Sequence, residues 1–264
     1  MSELSRIYRQ ESKTPHDPKR SLLRGVFLAL FWLAVWEVIS LIVGAELLVP
    51  SPRRVALRWL ELAGTSKFWL STALSLGRVA LGFAAGTIIG VLLAFLTRYF
   101  GLARLLLTPV IRVVRAVPVA SFIILALVWI KTEALPSFIS AAMAAPMVWQ
   151  SVSTALSEVD VSLLEMARVY KAPPRRALFG IVLPAVYPAF MSGALNALGF
   201  AWKSGVAAEV ICQPALSIGK QLQNAKIYLE TPDVFAWTIT VCALSMGLER
   251  LLRLISARVR RRDA

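Results

Sequence analysis

The sequence is poor in the residues that form most catalytic and metal-binding sites. Its 264 residues include a single histidine, His16, and two cysteines, Cys212 and Cys242. The spacing of the cysteines matches no metal-binding pattern, and His16 lies in a polar segment. These counts argue against a histidine-based or metal-based centre, so we expect no catalytic residue, no metal site and no cofactor in this chain.

Acidic residues are also scarce. The sequence has 15 Asp and Glu against 29 Lys and Arg, which gives a formal net charge of +14. Such an excess occurs in nucleic-acid-binding proteins and in membrane proteins, whose cytoplasmic loops are rich in Lys and Arg. In a chain with long apolar runs the second interpretation is favoured, and we expect no nucleic acid partner.

Long polar stretches are few, because 58% of the residues are hydrophobic and the mean hydropathy is +0.68. A helix needs roughly 20 apolar residues to cross a bilayer, and barrel strands would alternate in character, whereas these runs are continuous. The sequence therefore predicts an all-α, polytopic membrane protein. We place about six transmembrane helices at residues 23–43, 69–97, 105–131, 134–154, 180–206 and 233–256.

The loops between these helices differ in basic charge. Eighteen Lys and Arg residues fall on the side that holds both termini and the loop near residue 170, and eight fall on the other side. The positive-inside rule predicts that both termini are cytoplasmic. Residues 51–68 are too polar to cross and indicate a short amphipathic helix at the interface. We also expect residues 207–232 to lie outside the membrane.

Two predicted spans carry small residues at four-residue spacing. One stripe contains Gly82, Gly86 and Gly90, and the other runs from Gly193 to Gly205. Such stripes allow helix backbones to approach closely in lipid, either within one bundle or at a subunit contact. In the third span, Pro118 predicts a break between a charged half-helix and an apolar segment.

The stretch "LLEMARVYKAPPRRALFGIVLPAV", residues 163–186, interrupts the apolar runs with charge and proline. We predict a helix over 158–171 that begins with a capping box of Ser162 and Glu165. Its apolar stripe is Leu163, Met166, Ala167 and Tyr170. After the two prolines, a basic helix continues into the next span. The apolar stripe fits either the membrane surface or a groove on a partner protein.

This segment resembles the EAA loop of permease subunits of bacterial ATP-binding-cassette (ABC) importers. Glu165, Ala167, Ile181, Leu183 and Pro184 match that motif at its spacing. Met166 departs from the usual Ala, and Lys171 stands where the family usually has Gly. Because that Gly permits a left-handed residue at the helix end, we expect the turn here to form by another route. The resemblance assigns ATPase coupling to Leu163, Glu165, Ala167, Arg168, Tyr170, Lys171, Arg175, Leu183 and Pro184.

Further segments, among them "STALSLGRVALGF" and "GFAWKSGVAAEVI", are similar to the nitrate/sulfonate/taurine branch of these permeases. The resemblance implies a type I ABC importer permease fold. It divides the chain into a cytoplasmic tail at 1–22, a first transmembrane helix at 23–43, a core of five helices at 65–256 and a basic cytoplasmic tail at 257–264. The coupling loop lies at about 157–184.

The resemblance also implies the partners. They are a cytoplasmic ABC ATPase dimer that holds ATP and Mg²⁺, an extracytoplasmic solute-binding protein, a second permease copy and membrane lipid. The chain would reside in the cell inner membrane as the permease of an importer for a small anionic solute or a vitamin precursor. A stand-alone secondary transporter or channel is the alternative.

Ionisable groups at membrane depth are costly and mark functional sites by default. The candidates for the translocation path are Arg115, Lys203 and Glu209, together with the neighbouring Trp202. Lys203 in the path would favour an anionic solute. A lysine that extends to the membrane interface, or a salt bridge between helices, remains the alternative.

Overall fold

The computed structural model describes residues 18–262, which form helices and no strand. The predicted all-α fold is confirmed, and residues 1–17 and 263–264 of the two predicted tails lie outside the described part. The helices are α1 (Pro18–Val43), α2 (Pro52–Ala63), α3 (Ser66–Tyr99), α4 (Gly101–Ala116), α5 (Val119–Ala126), α6 (Leu135–Ser157), α7 (Val161–Val169), α8 (Pro174–Cys212), α9 (Ile218–Ile227) and α10 (Thr231–Arg262).

Within the described residues, four helices are long and apolar enough to cross a membrane. They are the Leu23–Val43 part of α1, then α3, α8 and the Thr231–Arg258 part of α10. The pair α4 and α5 supplies a fifth if it is counted as one broken span. The fourth predicted span coincides with α6, which is 23 residues long but less apolar, and which lies at the centre of the bundle.

The third predicted span, at 105–131, is divided into two helices at its predicted break. Helix α4 ends at Ala116, α5 begins at Val119, and the two axes differ by 107°. The break lies at Pro118, as the sequence indicates. Val117 has an extended backbone, with φ −70° and ψ 130°, because a following proline disfavours the helical conformation.

The core is built where α6 packs between α3 and α8. A Cβ atom added to Gly82, Gly86 or Gly90 of α3 would lie 2.2–2.6 Å from a carbonyl oxygen of α6. Only glycine permits this approach of two backbones. On the other side, Gly193 and Gly205 of α8 face serine side chains of α6 in the same way. In this structure both stripes therefore serve contacts within one chain.

Helix α2 is the short amphipathic helix that the sequence predicts near residues 51–68. Ser51 caps its first turn by accepting a hydrogen bond from the Arg54 amide. The Arg58 guanidinium donates to both carboxylate oxygens of Asp233 at the start of α10, at 2.5 and 3.1 Å. This hydrogen bonding to Asp233, together with that to Glu61, raises the pKa of Arg58 above its ordinary value. The contact fixes α2 against the end of α10.

The segment 207–232, which we expect outside the membrane, begins within helix α8. Helix α8 continues to Cys212 before Gln213 ends it in a left-handed conformation, with φ +49°. The helix α9 then covers Ile218–Ile227 and packs against α8 and α10. The one acidic residue of this segment within α8, Glu209, is buried among hydrogen-bond partners.

Candidate functional site

Helix α7 begins with a cap that differs from the predicted one. The N-cap residue is Asp160, whose Oδ1 accepts hydrogen bonds from the Ser162 amide at 2.8 Å and from the Ser162 hydroxyl at 2.5 Å. These bonds lower the pKa of Asp160 below its ordinary value. The predicted capping box of Ser162 and Glu165 is therefore wrong, because Ser162 donates its hydroxyl to the preceding carboxylate.

Helix α7 ends in a Schellman motif that Lys171 completes. The Ala172 amide donates to the Ala167 carbonyl at 2.9 Å, and the Lys171 amide donates to the Arg168 carbonyl at 2.9 Å. Lys171 adopts φ +51°, the left-handed conformation that this motif requires. The expectation of a different turn is wrong, because the lysine takes the conformation that glycine would take.

The outer surface of α7 and the following turn is apolar and exposed. Its members are Leu163, Met166, Val169 and Tyr170, and Tyr170 is 79% exposed. The observed surface differs from the predicted apolar stripe at Ala167, which is only half-exposed. Leu164, which the prediction omitted, faces inward and packs against the main core cluster. Leu164 thus gives α7 a contact with the bundle, whereas the apolar side chains on the other face of the helix stay exposed.

Basic residues surround this apolar surface. Arg168, Lys171, Arg175 and Arg176 are exposed, as is Glu165. Among the described residues none of these five side chains forms an ion pair. Their long side chains are therefore available to a surface that brings complementary charge.

The coupling loop joins α8 without a flexible linker. Pro174 opens α8, where its missing amide hydrogen costs no hydrogen bond, and Leu178–Val182 form a π-helical turn within it. The Leu183 amide donates to the Leu178 carbonyl across this turn. Such turns are common at functional positions, and this one lies directly before Pro184. Leu183 is half-buried and Pro184 is exposed.

Glu209, a predicted path residue, is completely buried in a hydrogen-bond network. Its carboxylate accepts from the Ser75 hydroxyl at 2.7 Å and from the Gly219 amide at 3.3 Å. Arg78 lies 3.5 Å from the other carboxylate oxygen. Gly219 lies so close that a Cβ atom there would be 2.4 Å from Glu209 backbone and side-chain atoms. The network ties α3, α8 and α9 together, which is a structural role.

Arg78 extends this network to residues that the sequence analysis did not single out. Its guanidinium donates to Glu133 at 2.8 Å and to the Ala215 carbonyl at 3.0 Å. Glu133 in turn accepts from the Ala215 amide at 3.0 Å. The sequence shows only a single acidic residue, Glu133, before α6. It does not indicate that the ion-pair partner, Arg78, lies 55 positions away.

The other predicted path residues lie in different surroundings. Trp202 is buried, and its indole Nε1 donates to the Val241 carbonyl of α10 at 3.1 Å. Arg115 is exposed and donates to Gln150 at 3.1 Å. Lys203 is exposed on α8 beside a cavity of about 380 Å³. Of the two charged path candidates on α8, Glu209 is therefore buried, whereas Lys203 is exposed beside the cavity.

The chain matches known proteins over most of its length. Residues 86–261 match the family described as binding-protein-dependent transport system inner membrane component. The chain is 25% identical over 249 residues to a putative aliphatic sulfonates transport permease protein of Bacillus subtilis (strain 168), covering 94% of this chain and 90% of that protein. It is 28% identical over 250 residues to the taurine transport system permease protein of Escherichia coli (strain K12), covering 90% of each.

A solved structure shares the fold. It is a chain of a bacterial ABC transporter involved in the import of the acidic polysaccharide alginate, with a TM-score of 0.62 at 15% identity. The match covers 92% of this chain and 98% of that one. The predicted type I ABC importer permease fold is confirmed.

Proposed function

The chain belongs to the family of binding-protein-dependent transport system inner membrane components, and we propose that it forms the translocation path for a small anionic solute. It is a permease subunit of an ATP-driven importer of the inner membrane, and it works with an ATPase and a binding protein. We assign ATP and Mg²⁺ to that ATPase. Two relatives, named as permeases for aliphatic sulfonates and for taurine, support a solute that carries an anionic group.

The coupling surface is the exposed face of α7 with the basic turn that follows it. The single observation that carries this assignment is that Leu163, Met166 and Tyr170 are exposed at helical spacing on a helix none of whose residues is buried. Exposed apolar surface of this kind indicates a protein or membrane contact. The flanking Glu165 and Arg168 fit a groove on a partner better than a uniformly anionic lipid surface.

Movement of α7 would be transmitted to the membrane spans. The Schellman turn at Lys171 and the proline at 174 connect α7 stiffly to α8, a helix of 39 residues. A pull on α7 by the ATPase dimer would therefore displace α8 along or about its axis. The π-helical turn at Leu178–Val182 is the point at which this displacement could be absorbed.

We further propose that the translocation path forms between two copies of this chain, with both termini in the cytoplasm. The excess of basic residues on the side of α7 supports this orientation. Lys203, exposed on α8 within a membrane-spanning segment, would supply positive charge to the path. Glu209 is not included, since its carboxylate already bonds Ser75 and Gly219.

Co-purification of the tagged chain with its ATPase tests the coupling surface. We expect the variant Glu165→Ala plus Arg168→Ala to lose the ATPase. The matched control is Glu46→Ala plus Arg54→Ala, which removes an exposed ion pair outside the coupling loop and should retain it. If the coupling-loop variant retains the ATPase while both variants fold, the α7 surface is not the contact.

A further inference from the structure

A cavity at the end of α6 that leads into α7 is lined by arginines and hydroxyl groups. Its volume is about 330 Å³, and it lies between the end of α3, the first half of α4 and the end of α6. In the part of the chain that the structure describes, no acidic residue lines it. Its polar side chains include Arg98, Arg104, Thr108, Ser153, Thr154 and Ser157. The cavity therefore suits an anionic group.

The two arginines are free to bind such a group. The Nε atom of Arg104 donates to the Thr97 carbonyl at 3.1 Å. This bond fixes the guanidinium at the cavity and leaves its two terminal nitrogens for a ligand. Among the described residues, neither Arg98 nor Arg104 forms an ion pair. No carboxylate of the described chain therefore neutralises their charge.

A buried hydroxyl in the cavity wall is without a hydrogen-bond partner. The Oγ atom of Ser153 is buried and, within the described residues, bonds to no other group. By contrast, the Thr97 hydroxyl on the cavity floor accepts from the Trp149 indole at 3.0 Å and donates to the Leu93 carbonyl at 2.8 Å. Buried polar groups in proteins are nearly always paired. Ser153 thus has an unused donor for a group that enters the cavity.

The surroundings of the cavity indicate a lipid as the source of that group. Arg98 lies in the last turn of α3, a helix long and apolar enough to cross a membrane. The cavity is therefore close to a membrane surface, where lipid headgroups lie. On α4 beside it, the side chains of Leu102 and Leu105 are 70% and 73% exposed. These leucines offer an apolar surface to acyl chains next to the arginines.

We propose that this cavity binds the phosphate group of an anionic phospholipid. Arg98 and Arg104 would pair with the phosphate oxygens, whose geometry the guanidinium fork matches, and Ser153 would donate a further hydrogen bond. A lipid with an ammonium headgroup gains less, because no acidic residue of the described chain lines the cavity to pair with the ammonium. The site thus distinguishes anionic from zwitterionic phospholipids, and it is independent of the solute that the permease carries.

Native mass spectrometry of the full chain, purified in detergent, tests this inference. The protein is titrated with phosphatidylglycerol and with phosphatidylethanolamine of identical acyl chains, and the dissociation constant of the first bound lipid is measured. We expect phosphatidylglycerol to bind at least about fivefold more tightly, because its headgroup lacks the ammonium. Glycerol 3-phosphate, added in the millimolar range, carries a phosphate without acyl chains and should not displace the bound lipid.

Two variants and a matched control locate the site. Arg98→Gln plus Arg104→Gln should weaken phosphatidylglycerol binding at least about tenfold, since charge-assisted hydrogen bonds to phosphate are the strong ones. Ser153→Ala, which changes no charge, should weaken it about fivefold. The control is Arg250→Gln plus Arg258→Gln, which removes the same number of charges from exposed positions of α10 outside the cavity. It should leave the affinity of the first lipid unchanged.

Equal binding of the two lipids by the wild type would overturn the inference, as would an equal loss of affinity in the two double variants, which indicates general attraction of basic residues for anionic lipid. Displacement by glycerol 3-phosphate would assign the cavity to a soluble phosphate compound and overturn the lipid assignment. Thermal unfolding shows whether each variant is folded. If the arginine variant is not, Ser153→Ala decides, and unchanged affinity in that variant overturns the inference.

Discussion

The hydroxyl of Ser75 donates a 2.7 Å hydrogen bond to the carboxylate of Glu209, and both side chains are completely buried. The two residues belong to α3 and α8 and are 134 positions apart. The same hydroxyl accepts from the Ile218 amide at 2.9 Å, at the start of α9. One serine and one glutamate thus hold three helices at the end of the bundle remote from α7.

Removal of the Glu209 carboxylate should destabilise the permease. Glu209→Ala leaves the Ser75 hydroxyl and the Gly219 amide without their buried acceptor, which costs about 1–3 kcal/mol, whereas Arg78 keeps Glu133 and the Ala215 carbonyl. Glu209→Gln keeps an acceptor for Ser75 and should cost less. Thermal unfolding of both variants in nanodiscs measures the difference. Equal melting temperatures for wild type and Glu209→Ala would show that the network contributes nothing.

Replacement of Lys171 by glycine should stabilise the turn after α7. A left-handed residue with a side chain costs about 1–2 kcal/mol relative to glycine, partly offset by the greater freedom of glycine in the unfolded chain. We therefore expect slower amide hydrogen exchange at residues 167–172 in Lys171→Gly. Lys171→Ala is the control, since it removes the same charge but keeps a Cβ atom. Equal exchange in the two variants would contradict the explanation by backbone strain.

Enlargement of Gly86 should disrupt the packing of α3 on α6. An added Cβ atom would lie 2.5 Å from the Ala141 carbonyl oxygen, so the helices must separate, at a cost of about 1–3 kcal/mol. Gly77→Ala on the same helix is the matched control, because nothing lies within 4 Å of its Cβ position. Thermal unfolding of the purified permease should show a loss for Gly86→Ala alone. A comparable loss in both variants would indicate a general effect of alanine in α3.

The Arg58–Asp233 ion pair should stabilise the docking of α2. Arg58 is 39% exposed and Asp233 only 10%, so solvent screening reduces the coupling energy to about 1 kcal/mol. A double-mutant cycle with Arg58→Met and Asp233→Asn, followed by thermal unfolding, measures it. The exposed pair of Arg54 and Glu46 should give no measurable coupling. A larger coupling energy at the exposed pair would contradict this account.

The sequence predicted the helical class and most span positions, because an apolar run can be recognised without knowing which helices it packs against. It also located the break at Pro118, since proline acts on its own neighbour. The angle of 107° at that break was not predictable. That angle depends on what the two half-helices pack against, and packing partners are remote in sequence.

The candidate site was predictable where its chemistry is local. The coupling loop was predicted from its motif, and that role stays a prediction. The left-handed Lys171 was not predicted, because closure of the turn by two backbone hydrogen bonds decides that conformation. The hydrogen bonds of Glu209 were not predicted, because its partners Ser75 and Arg78 lie more than 130 positions away.

ATP-driven uptake by proteoliposomes tests the central claim most directly. The vesicles contain the permease, its ATPase and its binding protein, and the solutes are labelled nitrate, ethanesulfonate and taurine. The account predicts that at least one of these three solutes accumulates only with ATP and the ATPase present, and that Glu165→Ala plus Arg168→Ala abolishes this uptake. Equal accumulation by the permease alone would identify a stand-alone transporter or channel, and failure to accumulate any of the three would contradict an anionic solute.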